Sequence, residues 1–91
     1  MRVIVLDGKM MKTPEETHAY IAKEADFPPY YGKNLDALAD CLSELGKNTC
    51  VVLLNDKDMR KSLGSYADRL LSVFEETSSE PYSFNFVICE K

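Results

Sequence analysis

The sequence predicts an α/β fold: one mainly parallel sheet of three strands, with helices covering a single face. Three observations predict it. The runs Val3 to Leu6, Cys50 to Leu54 and Tyr82 to Cys89 are apolar, β-branched or aromatic, and short enough to be strands. Segments with helical spacing separate them, and strands alternating with helices build a parallel sheet. The length, 91 residues, suits one small domain, 1–91, with a thin core.

Val3 to Leu6 reads as a buried strand closed by the turn signal Asp7-Gly8. Thr13-Pro14-Glu15-Glu16 is a helix start. The Thr13 hydroxyl accepts the Glu16 N–H, the Glu16 carboxylate reaches back to Thr13, and Pro14 fits the first helical position, where it needs no donor. This helix runs to about Ala25 and stops at Phe27-Pro28-Pro29. After the loop Tyr30-Tyr31-Gly32 a second helix begins at Lys33 or Asn34. Leu35, Leu38, Leu42 and Leu45 form its apolar stripe, and Gly46 ends it. Cys50 to Leu54 is a second buried strand. Asn55 to Asp58 reads as a polar turn, and Met59 to Leu63 as a short helix ended by Gly64. Tyr66 to Thr77 is a long helix with Ala67, Leu70, Leu71 and Phe74 inward, broken by Ser78-Ser79-Glu80-Pro81. Tyr82 to Cys89 is the last strand, with Phe84, Phe86 and Ile88 alternating with Ser83, Asn85 and Val87.

Composition narrows the function. The chain is 45% hydrophobic and 29% charged, a globular mix rather than a disordered one. Eleven basic against fifteen acidic residues give a net charge of −4. That argues against direct binding of nucleic acid, which rests on clustered Lys and Arg, and against an anionic membrane. Residues 1–33 are neutral in sum, so the whole excess lies beyond them. Cys41, Cys50 and Cys89 are odd in number and not at CxxC spacing, so they read as reduced, mostly buried thiols in a cytoplasmic protein. The apolar start is too short for a signal-peptide core, and no run is long enough to span a membrane.

The excess charge has a pattern. On the second helix Asp36, Asp40 and Glu44 lie at about 0°, 40° and 80°, while the four leucines lie between about 180° and 260°. The acids therefore face outward. Each such like-charge pair destabilises a helix by about 0.2–0.5 kcal/mol. No Lys or Arg lies between Asn34 and Leu45 to relieve them. A face arranged against its own stability suggests use, although a solvated acidic face looks the same from geometry alone.

Catalytic and metal readings are weak. An exposed helix face offers no burial that would make one of two carboxylates an acid and the other a base. The single histidine, His18, sits on another helix and reads as structural or solvent-facing. Three carboxylates on one helix make a loose, open cation site with no further ligand in view. Asp56-Lys57-Asp58 begins like a calcium loop, but Lys61 stands where the glycine belongs and Ala67 where the last carboxylate belongs.

The run Pro29-Tyr30-Tyr31-Gly32-Lys33-Asn34-Leu35-Asp36-Ala37-Leu38-Ala39-Asp40-Cys41-Leu42 closely resembles the signature of the barstar family, intracellular inhibitors of a secreted bacterial ribonuclease. Asp7-Gly8 after the first strand, the helix around His18, and Val73-Phe74 with Glu76 fall in matching places, so the resemblance covers nearly the whole chain. It implies a two-layer fold, a three-stranded parallel sheet packed against α-helices, with no enzyme activity and no cofactor. It also implies a mechanism, in which acids on a rigid helix take the places of RNA phosphates in a basic cleft.

Carried over by position, Asp40 matches the central acid that fills the phosphate site, and Asp36 an acid that pairs with an arginine. Tyr30 matches an aromatic that packs on the enzyme's catalytic histidine. Gly32 and Asn34 match the loop that brings the backbone close to the partner, and Glu76 an outlying acid. Tyr31 in the same run, with Ala39 and Glu44 beside the acids, completes the expected partner-binding set. Two departures stand out. Ala39 stands where the family archetype has a tryptophan, and this chain has no Trp at all; Lys33 replaces a loop acid. The resemblance thus implies a cytoplasmic inhibitor, monomeric when free, binding a basic secreted guanyl-specific ribonuclease or toxin domain one-to-one. A retuned interface or a different cognate nuclease follows from the departures. A binding module for another basic protein and a small carboxylate enzyme remain the alternatives.

Overall fold

Parallel strands need crossover connections, and here each crossover is a pair of helices. The computed structural model describes residues 1–89, so the last two positions of the expected 1–91 domain lie outside the described residues. The order is β1 (Arg2–Asp7), α1 (Pro14–Ala25), α2 (Leu35–Ser43), β2 (Thr49–Leu54), α3 (Asp56–Leu63), α4 (Ser65–Ser78) and β3 (Asn85–Cys89), with a short 3-10 turn at Gly8–Met10. The sheet order is β1-β2-β3, entirely parallel, with Ile4 opposite Val51 and Val51 opposite Phe86. Because the strands advance in one direction, right-handed crossovers lay both helix pairs on the same face. The expected α/β class, a three-stranded parallel sheet packed on helices, is the observed one.

The one-sided cover corrects the first strand. Ile4 and Leu6 are buried under the helices, but Val3 and Val5 are 56% and 45% exposed on the open face. β1 therefore alternates rather than being buried throughout; a β-branched run alone does not say whether both faces are covered. The inner face continues through Val51 and Leu53 of β2. It meets Leu38 and Leu42 of α2, Met59 of α3 and Leu70 and Phe74 of α4, all within one core. Phe74 stacks on Phe86 at 5.0 Å and meets Phe84 edge-on at 6.5 Å, fixing β3 to α4. The cysteines are free, as expected, but half-buried rather than buried.

The helix ends show where local chemistry decided. Thr13 caps α1 by accepting the Glu16 N–H at 3.1 Å, though among the described residues the Glu16 carboxylate does not return the bond. α2 begins at Leu35, after the cap Asn34, and closes at Ser43, short of the expected Leu45. Its end tightens into short-range bonds, Glu44 N–H to Cys41 O and Leu45 N–H to Leu42 O, so Gly46 serves the following loop instead. The expected polar turn at 55–58 is mostly helix. Asn55 adopts the left-handed conformation, and Asp56 and Asp58 sit in the first turn of α3, where the helix dipole favours them. β3 starts only at Asn85, because Tyr82 has φ of 62° and Ser83 N–H bonds back to Glu80 O in a turn.

Candidate partner-binding surface

The loop entering α2 is built from bonds internal to it. The Asn34 side-chain oxygen accepts the Ala37 N–H at 2.8 Å, and its amide donates to Gly32 O at 3.3 Å. A Cβ on Gly32 would come within 3.3 Å of the Ala37 Cβ, so the small residue lets the loop lie against the first turn of α2. Lys33, between them, takes φ of 54°. Tyr31 N–H bonds to Pro28 O at 3.0 Å.

The two tyrosines of the loop part company. Tyr30 is 85% exposed. Tyr31 is 8% exposed, its ring 5.1 Å from that of Phe27 and its hydroxyl 2.6 Å from His18 Nδ1. Tyr31 therefore supports the loop from below, with only an edge at the surface. Burial pushes its phenol far above the ordinary range, so it stays protonated. His18 is buried and takes the structural role of the two expected, its Nε2 lying 2.6 Å from the Tyr66 hydroxyl.

Asp36, Asp40 and Glu44 are exposed on the outer side of α2 and at its C-cap, as the spacing predicts. The ion pairs among the described residues are Arg60 with Asp56 and with Asp68, and neither touches these acids. Their field is felt nearby. Burial raises the Cys41 thiol pKa, and the charges of Glu44 and Asp40 raise it further. A shallow depression of about 170 Å³ joins loop to helix, lined by Tyr30, Tyr31, Gly32, Ala37, Asp40 and Cys41. Six of the expected site residues, Tyr30, Tyr31, Gly32, Asp36, Asp40 and Glu44, thus line it or form the acid row beside it. Ala39 is half-buried beside them.

Glu76 is exposed on α4, which packs against α2. The acid brought next to the end of α2 is Glu80, two residues beyond α4. Ser43, Thr77, Glu80, Pro81, Tyr82 and Ser83 meet in a second depression of about 90 Å³ at the far end of α2. Ser43 lies seven residues after Asp36, at about 340° on the same face, so helical spacing could have found it. Glu80 and Tyr82 were hidden, because they read as a helix break and a strand start. Among the described residues no cluster of His, Cys, Asp and Glu is grouped to hold a metal ion. Asp56, first residue of the calcium-loop look-alike, is helical and paired with Arg60 at 3.4 Å.

What the arrangement can do is present a rigid row of negative charge, with an exposed aromatic at its side, to a basic concave surface. Comparison with known proteins gives the chain a family. A family model described as Barstar (barnase inhibitor) matches residues 1–89. A Bacillus subtilis (strain 168) protein bearing the name "Putative ribonuclease inhibitor YrdF" is 42% identical over 81 residues, 88% of this chain and 89% of the relative.

Proposed function

The chain belongs to the barstar family, and on that premise we propose that it inhibits a secreted guanyl-specific ribonuclease, barnase-like in kind, by laying the acidic face of α2 in the enzyme's cleft. Members of the family are inhibitors, and the chain is an inhibitor rather than an enzyme. The observation that carries the finer reading is the row Asp36, Asp40 and Glu44, exposed and free of ion pairs among the described residues, next to the loop Tyr30 to Asn34.

The physics runs through the enzyme's own needs. A ribonuclease binds a polyanion and stabilises charge developing on phosphorus, so its cleft is lined with cationic donors. Carboxylates held on a helix replace phosphate oxygens through charge-assisted hydrogen bonds. Asp40 takes the central phosphate site and Asp36 an arginine, with Glu44 and Glu76 extending the acidic field that steers the encounter. Tyr30 supplies apolar contact, while Asn34 and Gly32 bring the backbone close. The inhibitor acts in the cytoplasm as a monomer and binds one-to-one, protecting the producing cell as an immunity protein.

RNA cleavage by purified guanyl-specific ribonucleases, barnase among them, tests this. Added chain abolishes cleavage at equimolar amounts, less effectively as salt rises. If the native chain left every such enzyme active, the reading would be wrong. A second reading keeps the surface and changes the partner to another basic protein or toxin. It is favoured by Ala39, which offers little contact area where a large aromatic would anchor an interface.

A further inference from the structure

Tyr82 is 82% exposed, and with Tyr30 it is one of two exposed tyrosines among the large exposed hydrophobic residues of the described chain. Its backbone has φ of 62°, a left-handed conformation that glycine or asparagine adopts readily and a bulky aromatic does not. The next residue carries a second cost. Ser83 Oγ is buried with no hydrogen-bond partner among the described residues. The turn delivers Phe84 to the core, but the Tyr82 ring lies outside it, so the fold asks for the turn and not for an aromatic at this position. A bulky exposed side chain kept in a costly conformation is a mark of functional sites.

The position of the ring says which site. Lys47, in the loop after α2, has its ammonium 5.8 Å from the ring centroid and holds the ring toward the end of that helix. Tyr82 shares a depression with Ser43. Ser43 lies at about 340° around α2, next to Asp36 at about 0°. The Tyr30 depression lies on the other side of the row, against Ala37 and Cys41 at about 100° and 140°. The acids therefore run between two exposed tyrosines.

We infer that Tyr82 is a second aromatic anchor of the ribonuclease-binding surface, held at the far end of α2 from Tyr30 and contributing affinity and specificity for the partner. The inference rests on the inhibitor reading above. In a chain without tryptophan, aromatic contact area at the acid row must come from residues such as these. Tyrosine suits an interface because it offers a large rigid face and a polar tip.

The test uses the full chain and purified guanyl-specific ribonucleases, barnase included. Tyr82→Gly relaxes the backbone strain, so the free protein melts no lower than the native chain, while inhibition weakens tenfold or more. Tyr82→Phe keeps most of the inhibition. Separately, tetranitromethane nitrates Tyr30 and Tyr82 in the free chain, and complex formation protects both. If Tyr82→Gly inhibits like the native chain, or Tyr82 reacts equally in the complex, the inference is overturned. Asp40→Ala in the same assay separates the two readings. Loss of inhibition there with none at Tyr82 removes only the anchor, whereas a native chain that inhibits no ribonuclease of the set removes both.

Discussion

His18 Nδ1 lies 2.6 Å from the Tyr31 hydroxyl, so a buried bond from α1 holds the loop that carries Tyr30 and Asn34. His18 Nε2 reaches the Tyr66 hydroxyl, also at 2.6 Å, at the start of α4. A neutral imidazole has one donor and one acceptor nitrogen, so one phenol donates to the ring and the other accepts from it. The histidine is the node through which α1, the loop and α4 are registered.

Stability is expected to depend on pH through that node. Burial lowers the His18 pKa below its ordinary 6.5. The unfolded chain therefore takes up the proton first as pH falls, and the folded chain resists it. The contribution is complete above about pH 6.5 and is lost as pH falls toward the depressed folded value, by up to about 1.4 kcal/mol per pH unit. Urea denaturation between pH 7.5 and 5.5 measures it. The midpoint drops with pH for the native chain and much less for His18→Gln; a flat native profile would rule the linkage out.

The two phenols are expected to differ in their readouts. Tyr66→Phe leaves one ring nitrogen of His18 unpartnered and costs about 1–3 kcal/mol of stability, with inhibition little changed. Tyr31→Phe costs a similar amount and also weakens inhibition, because Tyr31 supports the loop itself. Paired melting and inhibition assays separate the two, and equal inhibition by both variants would contradict the division.

Asp40→Ala moves stability and binding in opposite directions. Removing the middle charge of the row relieves two like-charge spacings, so the free protein gains about 0.2–0.5 kcal/mol for each. The complex loses charge-assisted hydrogen bonds of about 1.5–3 kcal/mol, roughly ten- to a hundredfold in affinity. Asp36→Ala weakens binding similarly, but it relieves only one such spacing and gives up a favourable place in the first turn of α2, so its stability changes little. Thermal melting and inhibition titration check the two signs, and a variant that melts lower and inhibits normally would assign these acids to the fold instead.

Gly8→Ala tests the closure of the sheet's C-terminal edge. A Cβ there would collide with the backbone carbonyl of Asn55. Beside it the Asn55 amide donates to the Asp7 carboxylate at 2.9 Å, which, with the Lys9 N–H, lowers the Asp7 pKa. Backbone does not yield as a side-chain tip would, so the substitution costs about 1–3 kcal/mol or more. Chemical denaturation reads it out, and a loss under 0.5 kcal/mol, roughly the scale of ordinary surface changes, would show the ends of β1 and β2 to be less tightly joined.

Much of this is legible in the sequence. The leucine stripe of α2, the Thr13 cap and the acid row are local patterns, set by residues a few positions apart, and they read directly. What did not read was set by distant parts of the chain. The open face over Val3 and Val5 depends on which side the crossovers lie. The burial of Tyr31 depends on a histidine thirteen residues earlier and on Phe27, while Tyr30, its neighbour in an identical local setting, points outward. Tyr82 and Glu80 joined the surface only because α4 ends beside Ser43.

α2 packs with one side and, on the proposed inhibitor reading, binds with the other. Leu38 and Leu42 are buried, and Asp36, Asp40, Ser43 and Glu44 are exposed. Changes on sides that share no partners add nearly independently. Recognition can therefore be rewritten without endangering the protein that displays it. A lineage facing a new toxin could exchange outward residues one at a time, each intermediate remaining folded. Ala39, where the resemblance to the family implies a tryptophan, fits such a history beside an intact acid row.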